Sequence, residues 1–220
     1  RLGQAVPKAF VPLAGKPLVE RSIRALAASG RIDRIVPVVA ERDRGAFQAL
    51  APRLMDVAGL VPAVVGGAER QDSMQAGLAS LPPEIGWVAV HDAARCLVDP
   101  GDVARVIDAA QATGAAILGA PVHDTLKRVE AGRIVETPDR RAWWAAQTPQ
   151  VFRRDWLEDA IGSASRAGRQ ATDDAALVEA LGHAVSIVEA RSPNPKITRP
   201  EDLLTARALL GAGGAMRIGQ

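Results

Sequence analysis

An alternation constrains this chain more than any other feature. Short apolar, β-branched runs at 35–39, 61–65, 87–91, 115–122 and 185–189 are separated by stretches of helical periodicity at 17–29, 72–81, 99–113 and 200–210. The apolar runs are continuous, as in strands covered on both faces. Strands alternating with helices make βαβ units with right-handed crossovers, so the sequence predicts an α/β fold around a mostly parallel sheet. The helix boundaries carry their own signals. Pro17 stands in a first turn and Gly30 follows the last. Pro82 and Pro83 close the second helix, Asp99-Pro100 opens the third and Gly114 ends it. Pro200-Glu201-Asp202 places acids where the helix dipole favours them.

Segment 125–137 breaks the rhythm. It reads Thr-Leu-Lys-Arg-Val-Glu-Ala-Gly-Arg-Ile-Val-Glu-Thr, two short runs around Glu130-Ala131-Gly132, and predicts a β-hairpin leaving the sheet. The pattern suits a surface hairpin and a dimer arm equally. The tail Gly211-Ala-Gly-Gly-Ala215 reads as a linker, and Met216-Arg-Ile-Gly-Gln220 restarts an apolar pattern after it.

Composition removes several function classes. With 220 residues, 48% hydrophobic and 24% charged, the chain can bury a core and is not a disordered protein. No apolar run reaches the roughly 18 residues of a membrane span. Lys and Arg total 27 against 25 Asp and Glu, and there are four Trp, three Phe and no Tyr. Neither a basic footprint nor a base-stacking platform for nucleic acid follows from that. The single cysteine, Cys96, excludes an internal disulfide framework and a multi-cysteine zinc site, and suits a reducing cytoplasm. The first residue is Arg1, which leaves room for a targeting peptide ahead of it.

Open parallel sheets bind ligands beyond the carboxyl ends of their strands, so the residues after each strand are the candidates. Gly66-Gly67-Ala68-Glu69-Arg70-Gln71-Asp72-Ser73 leads into a helix, where glycines let backbone amides approach a base or phosphate. His91-Asp92-Ala93-Ala94-Arg95 offers a carboxylate for a hard divalent cation and a guanidinium fork for phosphate. His91 itself reads as a packing residue. Arg1 and Lys8 place two cations in an opening loop, Thr125, Lys127, Arg140 and Thr148 put hydroxyls and cations in irregular segments, and Lys196 follows the last strand. Each motif alone also reads as turn, cap or solvated charge. As a set they offer many cations, one metal-holding acid and a glycine turn. No Ser–His–Asp order and no Gly-x-Gly-x-x-Gly fingerprint accompany them. That fits transfer between phosphates, where the protein positions groups and neutralises charge.

In this order the loops resemble the 2-C-methyl-D-erythritol 4-phosphate cytidylyltransferase family. The resemblance rests on Pro7-Lys8-x-Phe10, Gly15-Lys16-Pro17-Leu18, Gly66-Gly67-x-x-Arg70-x-x-Ser73 and Val90-His-Asp-Ala-Ala-Arg95. It continues in Asp124-Thr125-Leu-Lys127, Ala146-Gln-Thr-Pro-Gln150-x-Phe152, Thr172-Asp-Asp-Ala175 and Asn194-x-Lys-Ile-Thr198. It implies a Rossmann-like nucleotidyltransferase sheet over 1–210, with a β-arm at about 123–142 that interlocks a homodimer. It implies transfer of CMP from CTP to methylerythritol phosphate with release of pyrophosphate, assisted by Mg2+. By the same resemblance Arg1, Lys8 and Lys196 neutralise the phosphates and Asp92 holds the metal. Gly67, Ala68, Ser73 and Ala93 hold the cytidine, and Arg95, Thr125, Arg140 and Thr148 bind the sugar phosphate, Thr125 and Arg140 from the partner's arm.

The chain departs from the family in places. The family's first strand and glycine-rich loop are expected ahead of Arg1. Cys96 stands where Pro is usual, and Ala9 where Gln is common. Met216-Arg-Ile-Gly-Gln220 resembles the opening of a 2-C-methyl-D-erythritol 2,4-cyclodiphosphate synthase, which implies a bifunctional fusion joined by the 211–220 tail. Competing readings are a ribitol 5-phosphate cytidylyltransferase and a non-catalytic nucleotide-binding protein.

Overall fold

The computed structural model describes residues 6–169 and 171–216. In chain order the elements are β1 (Pro12–Leu13), β2 (Lys16–Pro17), α1 (Leu18–Ala28), β3 (Val38–Val39), α2 (Arg44–Gln48), α3 (Ala51–Leu54), β4 (Val64–Val65), α4 (Arg70–Ala79) and β5 (Trp87–Val90). They continue with α5 (Pro100–Thr113), β6 (Ala115–Pro121), β7 (Arg128–Glu130), β8 (Arg133–Glu136), β9 (Trp144–Arg153), α6 (Arg154–Arg166), α7 (Asp174–Glu179), β10 (Ser186–Glu189) and α8 (Pro200–Met216). Every predicted strand and helix has a counterpart. The 35–39 and 61–65 strands shrink to the two-residue ladder β3–β4, extended by a bridge between Ile35 and Leu60.

The main sheet has the order β10-β6-β9-β5. Three of its strands point one way, and β9 runs antiparallel to both neighbours, β6 and β5. The sheet is therefore mixed, and β9 is the strand the sequence did not announce. Its segment carries Pro149, which lacks the amide a central ladder needs. The ladder shows how the proline is accommodated. Ile117 faces Gln150 and Gly119 faces Ala146, so residues 147–149 bulge opposite Leu118.

Alternation along the strands divides the core into two layers. Ala116, Leu118 and Val151 join Val103, Val106, Ile107 and Ala110 of α5. Ala115, Ile117 and Phe152 face the other way, against Leu157, Ala160, Ile161 and Ala164 of α6, Leu177 and Val178 of α7, and Leu78 of α4. Phe152 and Leu157 are completely buried, worth roughly 1.5–3 kcal/mol each in removal from water.

The predicted hairpin forms as β7 and β8, with Ala131 and Gly132 at positive φ of 46° and 77° in the turn. Two left-handed residues make the tight hairpin turn that glycine tolerates best. At the far end, α8 runs past Leu210 to Met216, where the sequence predicted a linker. Alanines among the glycines hold helical propensity, and no proline intervenes to stop the helix.

Among the described residues no helix is long and apolar enough to cross a membrane. One large cavity, about 640 Å³, lies between β3 and β5. Val38, Val39 and Trp87 to Val90 line it, with Phe10, Ile23 and Met74 from surrounding elements. β3 pairs only with β4, and β5 only with β9, so both strands present an unpaired edge among the described residues.

Candidate functional site

The site is built on the loop that leaves β5. Asp92 is partly buried there, and Lys196 Nζ lies 2.8 Å from its Oδ2. Arg95 Nε is 4.0 Å from the same oxygen. Burial by itself raises the Asp92 carboxyl. The hydrogen bond and charge of Lys196, then Arg70 and Arg95, outweigh it and leave the carboxyl below its ordinary range. Lys8 opens a short 3-10 turn, Lys8–Phe10. Burial first, and then the charge of Lys196, press its ammonium below the usual lysine value, while Asp92 and Asp202 offset them. Three of the predicted residues on three separate loops thus share one electrostatic neighbourhood.

The β9 bulge supplies the floor. Thr148 is buried, and its hydroxyl oxygen accepts from the Asp92 backbone N–H at 3.1 Å. The same hydroxyl lies 3.1 Å from His91 Nδ1, and His91 Nε2 is 3.3 Å from the Arg95 carbonyl. Counting donors assigns the network. Nε2–H donates to the carbonyl, so Nδ1 accepts from Thr148 O–H, and the imidazole is neutral. Burial pushes the His91 pKa down to about 4, consistent with that tautomer. Thr148, expected to bind sugar phosphate, has its hydroxyl engaged in holding the Asp92 backbone. A single-sequence motif reads a hydroxyl's presence and not its partners.

Arg95 is held by carbonyls. Its Nη1 donates to Asn194 O at 2.9 Å and its Nη2 to Ala146 O at 3.2 Å, leaving Nε without a hydrogen-bond partner. Burial lowers its pKa and Asp92 opposes that, but a guanidinium stays charged at neutral pH.

The glycine turn lies between β4 and α4. A Cβ on Gly66 would sit 2.5 Å from Ser73 Oγ, and one on Gly67 would sit 2.3 Å from Asp72 Cβ. Both positions accept only glycine without rearrangement, because the turn folds directly onto the first turn of α4. Glu69 and Asp72 form a reciprocal capping box, with Glu69 N–H donating to Asp72 Oδ2 at 3.1 Å. With Glu69 as the cap, Ala68 precedes the helix and Ser73 is inside it. Ser73 Oγ is 3.5 Å from Gly67 O. Ala93 carries its carbonyl to Ser22 Oγ at 2.9 Å, fixing the Asp92 loop to α1.

Thr125 and Arg140 are exposed near the base of the arm. Arg140 Nη1 donates to the His123 carbonyl. None of the hydrogen bonds or ion pairs among the described residues joins either to the Asp92 cluster. Arg1 lies outside the described residues. The sequence also underrated two buried side chains. Gln150 Oε1 accepts from the Asp174 and Ala175 amides, tying β9 to α7. Asn194 joins three loops at the site. Its position between Pro193 and Pro195 was the available signal, since such a segment has few amides of its own for anchoring.

Among the described residues no group of three or more His, Cys, Asp and Glu converges. Asp92 is the carboxylate that Lys196 contacts, and a single protein carboxylate suits magnesium, which draws its other ligands from water and phosphates.

A family model described as "IspD: 2-C-methyl-D-erythritol 4-phosphate cytidylyltransferase" matches residues 1–212. A cytidylyltransferase of that name from Pelotomaculum thermopropionicum is 42% identical over 213 residues, covering 96% of this chain and 90% of the relative. A bifunctional IspD/IspF enzyme from Anaeromyxobacter dehalogenans is 43% identical, and the match covers 97% of this chain but 55% of that protein. The crystal structure of the Thermus thermophilus cytidylyltransferase superposes with a TM-score of 0.78 at 37% identity, over 92% of this chain and 93% of that one.

Proposed function

We infer the mechanism from one premise: the chain belongs to the 2-C-methyl-D-erythritol 4-phosphate cytidylyltransferase family, matched over residues 1–212. It is a nucleotidyltransferase of isoprenoid biosynthesis that joins CTP and methylerythritol phosphate and releases pyrophosphate. In our reading an oxygen of the acceptor phosphate attacks the α-phosphorus in line, and the bond to the bridging oxygen breaks as pyrophosphate leaves. No covalent enzyme intermediate is needed. Lys8 and Lys196 neutralise the charge on the phosphates from two sides, and Arg1 adds a third cation. The observation that carries this is the Lys196–Asp92 contact at 2.8 Å beside the depressed Lys8. It gathers two cations and one carboxylate at the carboxyl end of β5.

Asp92 would hold a magnesium ion, which supplies further charge neutralisation on the triphosphate. The Gly66–Gly67 turn, Ala68, Ser73 and Ala93 would take the cytidine, chiefly by backbone groups. Arg95 would take the acceptor phosphate through its guanidinium.

We further propose a homodimer through the arm, with Thr125 and Arg140 serving the partner's site. Support comes from the arm's exposed apolar side chains: Ile134 is 63% exposed, Val129 54% and Trp143 50%. A lone two-stranded hairpin is marginal in water and gains stability by packing. Fusion to a cyclodiphosphate synthase rests on the five residues from Met216, four of which lie outside the described residues. A cytoplasmic location is supported by the buried, unpaired Cys96.

The test is pyrophosphate release by the full-length protein with CTP and Mg2+, offering methylerythritol phosphate or ribitol 5-phosphate. Release with the former, lost in Lys8→Ala, is the expected result. Release with ribitol phosphate alone would sink the acceptor assignment, and CTP binding without release from either would favour a binding protein.

A further inference from the structure

Asn194 is 3% exposed, in a loop whose neighbours Pro193 and Pro195 lack backbone N–H groups. Its side chain supplies the anchoring that these two positions cannot. Nδ2 donates to Gln147 Oε1 at 3.1 Å and to the Thr148 carbonyl at 3.0 Å. Its own carbonyl accepts from Arg95 Nη1 at 2.9 Å. Three residues on, Ile197 N–H donates to the Ala94 carbonyl at 2.9 Å. Between these two fastenings stands Lys196, with Nζ against Asp92. One amide thus ties the Lys196 loop to the β9 bulge, while the same residue's carbonyl aims the Arg95 guanidinium.

We propose that Asn194 is a positioning residue of the reaction, setting Lys196 against Asp92 and Arg95 toward the acceptor phosphate. The proposal rests on the function stated above. Lys196 has a long, half-exposed stem, and its side chain is 46% exposed. Its head stays over Asp92 only if its backbone is fixed, and a misplacement of about 1 Å in such chemistry costs on the order of 10²-fold. The Asn194→Asp exchange is nearly isosteric, yet it turns a donor into a carboxylate oxygen facing two acceptor oxygens. It therefore opens the loop more than Asn194→Ala does.

The experiment is a double-mutant cycle on the full-length protein. Single-turnover pyrophosphate release, with enzyme in excess over CTP, and steady-state KM values are measured for wild type, Asn194→Ala, Lys196→Met and the pair. Asn194→Ala is expected to lower the rate about 10- to 100-fold, to raise KM for the acceptor, and to leave KM for CTP within about twofold. On the Lys196→Met background the same substitution is expected to cost several-fold less, because it acts through Lys196. Asn194→Ser, which keeps a donor at the position, repeats the cycle if the alanine variant does not fold. Leu157→Ala, in the core away from the site, supplies the comparison for lost stability. Full additivity of the pair, or an equal rate loss in Leu157→Ala at the same melting temperature, overturns the proposal alone. A wild type that releases no pyrophosphate overturns the function and the proposal with it.

Discussion

Lys196 and Asp92 show how a site can be built from two residues far apart in the chain. The 2.8 Å contact holds a partly exposed ammonium on a half-buried carboxylate. Loss of one preorganised charge that acts chiefly on the transition state lowers turnover on the order of 10²–10³-fold. Lys196→Met should do this while KM for CTP changes little, read by steady-state pyrophosphate release; a large KM effect with intact kcat would make Lys196 a binding group. His91 yields a prediction about stability. Its folded pKa, about 4, lies below the ordinary histidine value of 6.5 because burial disfavours the imidazolium. Between those values the unfolded chain binds a proton that the folded one refuses, so stability is full above pH 6.5 and falls as pH drops toward 4. The loss amounts to at most about 3 kcal/mol. Urea unfolding from neutral pH down to the folded value should show it, and His91→Gln should flatten that limb. If the slope is the same in the variant, the imidazole is not the group responsible. At this scale the sequence identified charged and hydroxyl-bearing residues by type. It did not say that Thr148 faces Asp92's backbone, or that Asn194 holds the Lys196 loop, because those facts depend on which loops meet.

Among the elements, the strands that read clearly were continuous apolar runs, and β9 was not one of them. Its Gln147-Thr148-Pro149 stretch is polar and lacks an amide, which reads as a loop. The bulge opposite Leu118 resolves the conflict by taking those residues out of the ladder, and it thereby aims Thr148 at Asp92. The feature that hid the strand is the one that makes it useful. The arm, in contrast, was legible from its turn residues, since Ala131-Gly132 sits between two short runs of β-branched residues. Ile134 is the most exposed of its large apolar side chains. Ile134→Lys should shift sedimentation from dimer to monomer and lower activity, because Thr125 and Arg140 would no longer reach the neighbouring site. A monomeric wild type of full activity would remove the arm from the mechanism.

At the level of the whole molecule, the β3–β4 ladder and the main sheet both line the 640 Å³ cavity, each with an unpaired edge among the described residues. Open edges lined with Val38, Val39, Val88 and Val90 are what proteins normally cover, because exposed ladder groups template aggregation. The helix order says what belongs between them. α1 leads from the carboxyl-end side of β5 back to β3, and a right-handed crossover to β3 needs a parallel strand before α1. The chain reaches α1 through Phe10 at the cavity wall. A strand placed between the two edges would give each of them a partner. It would also complete the apolar layer over Ile23 and Met74. The alternation of strands and helices does not by itself locate this gap, because runs of valine do not declare which edge they pair. Hydrogen exchange on full-length protein tests the arrangement. The amides of Val38, Val39 and Val88 to Val90 on the cavity side should exchange as slowly as those paired in the β6–β9 ladder. If both edges stay open, the same amides should exchange several orders of magnitude faster. Fast exchange at these amides would mean that nothing pairs with either edge.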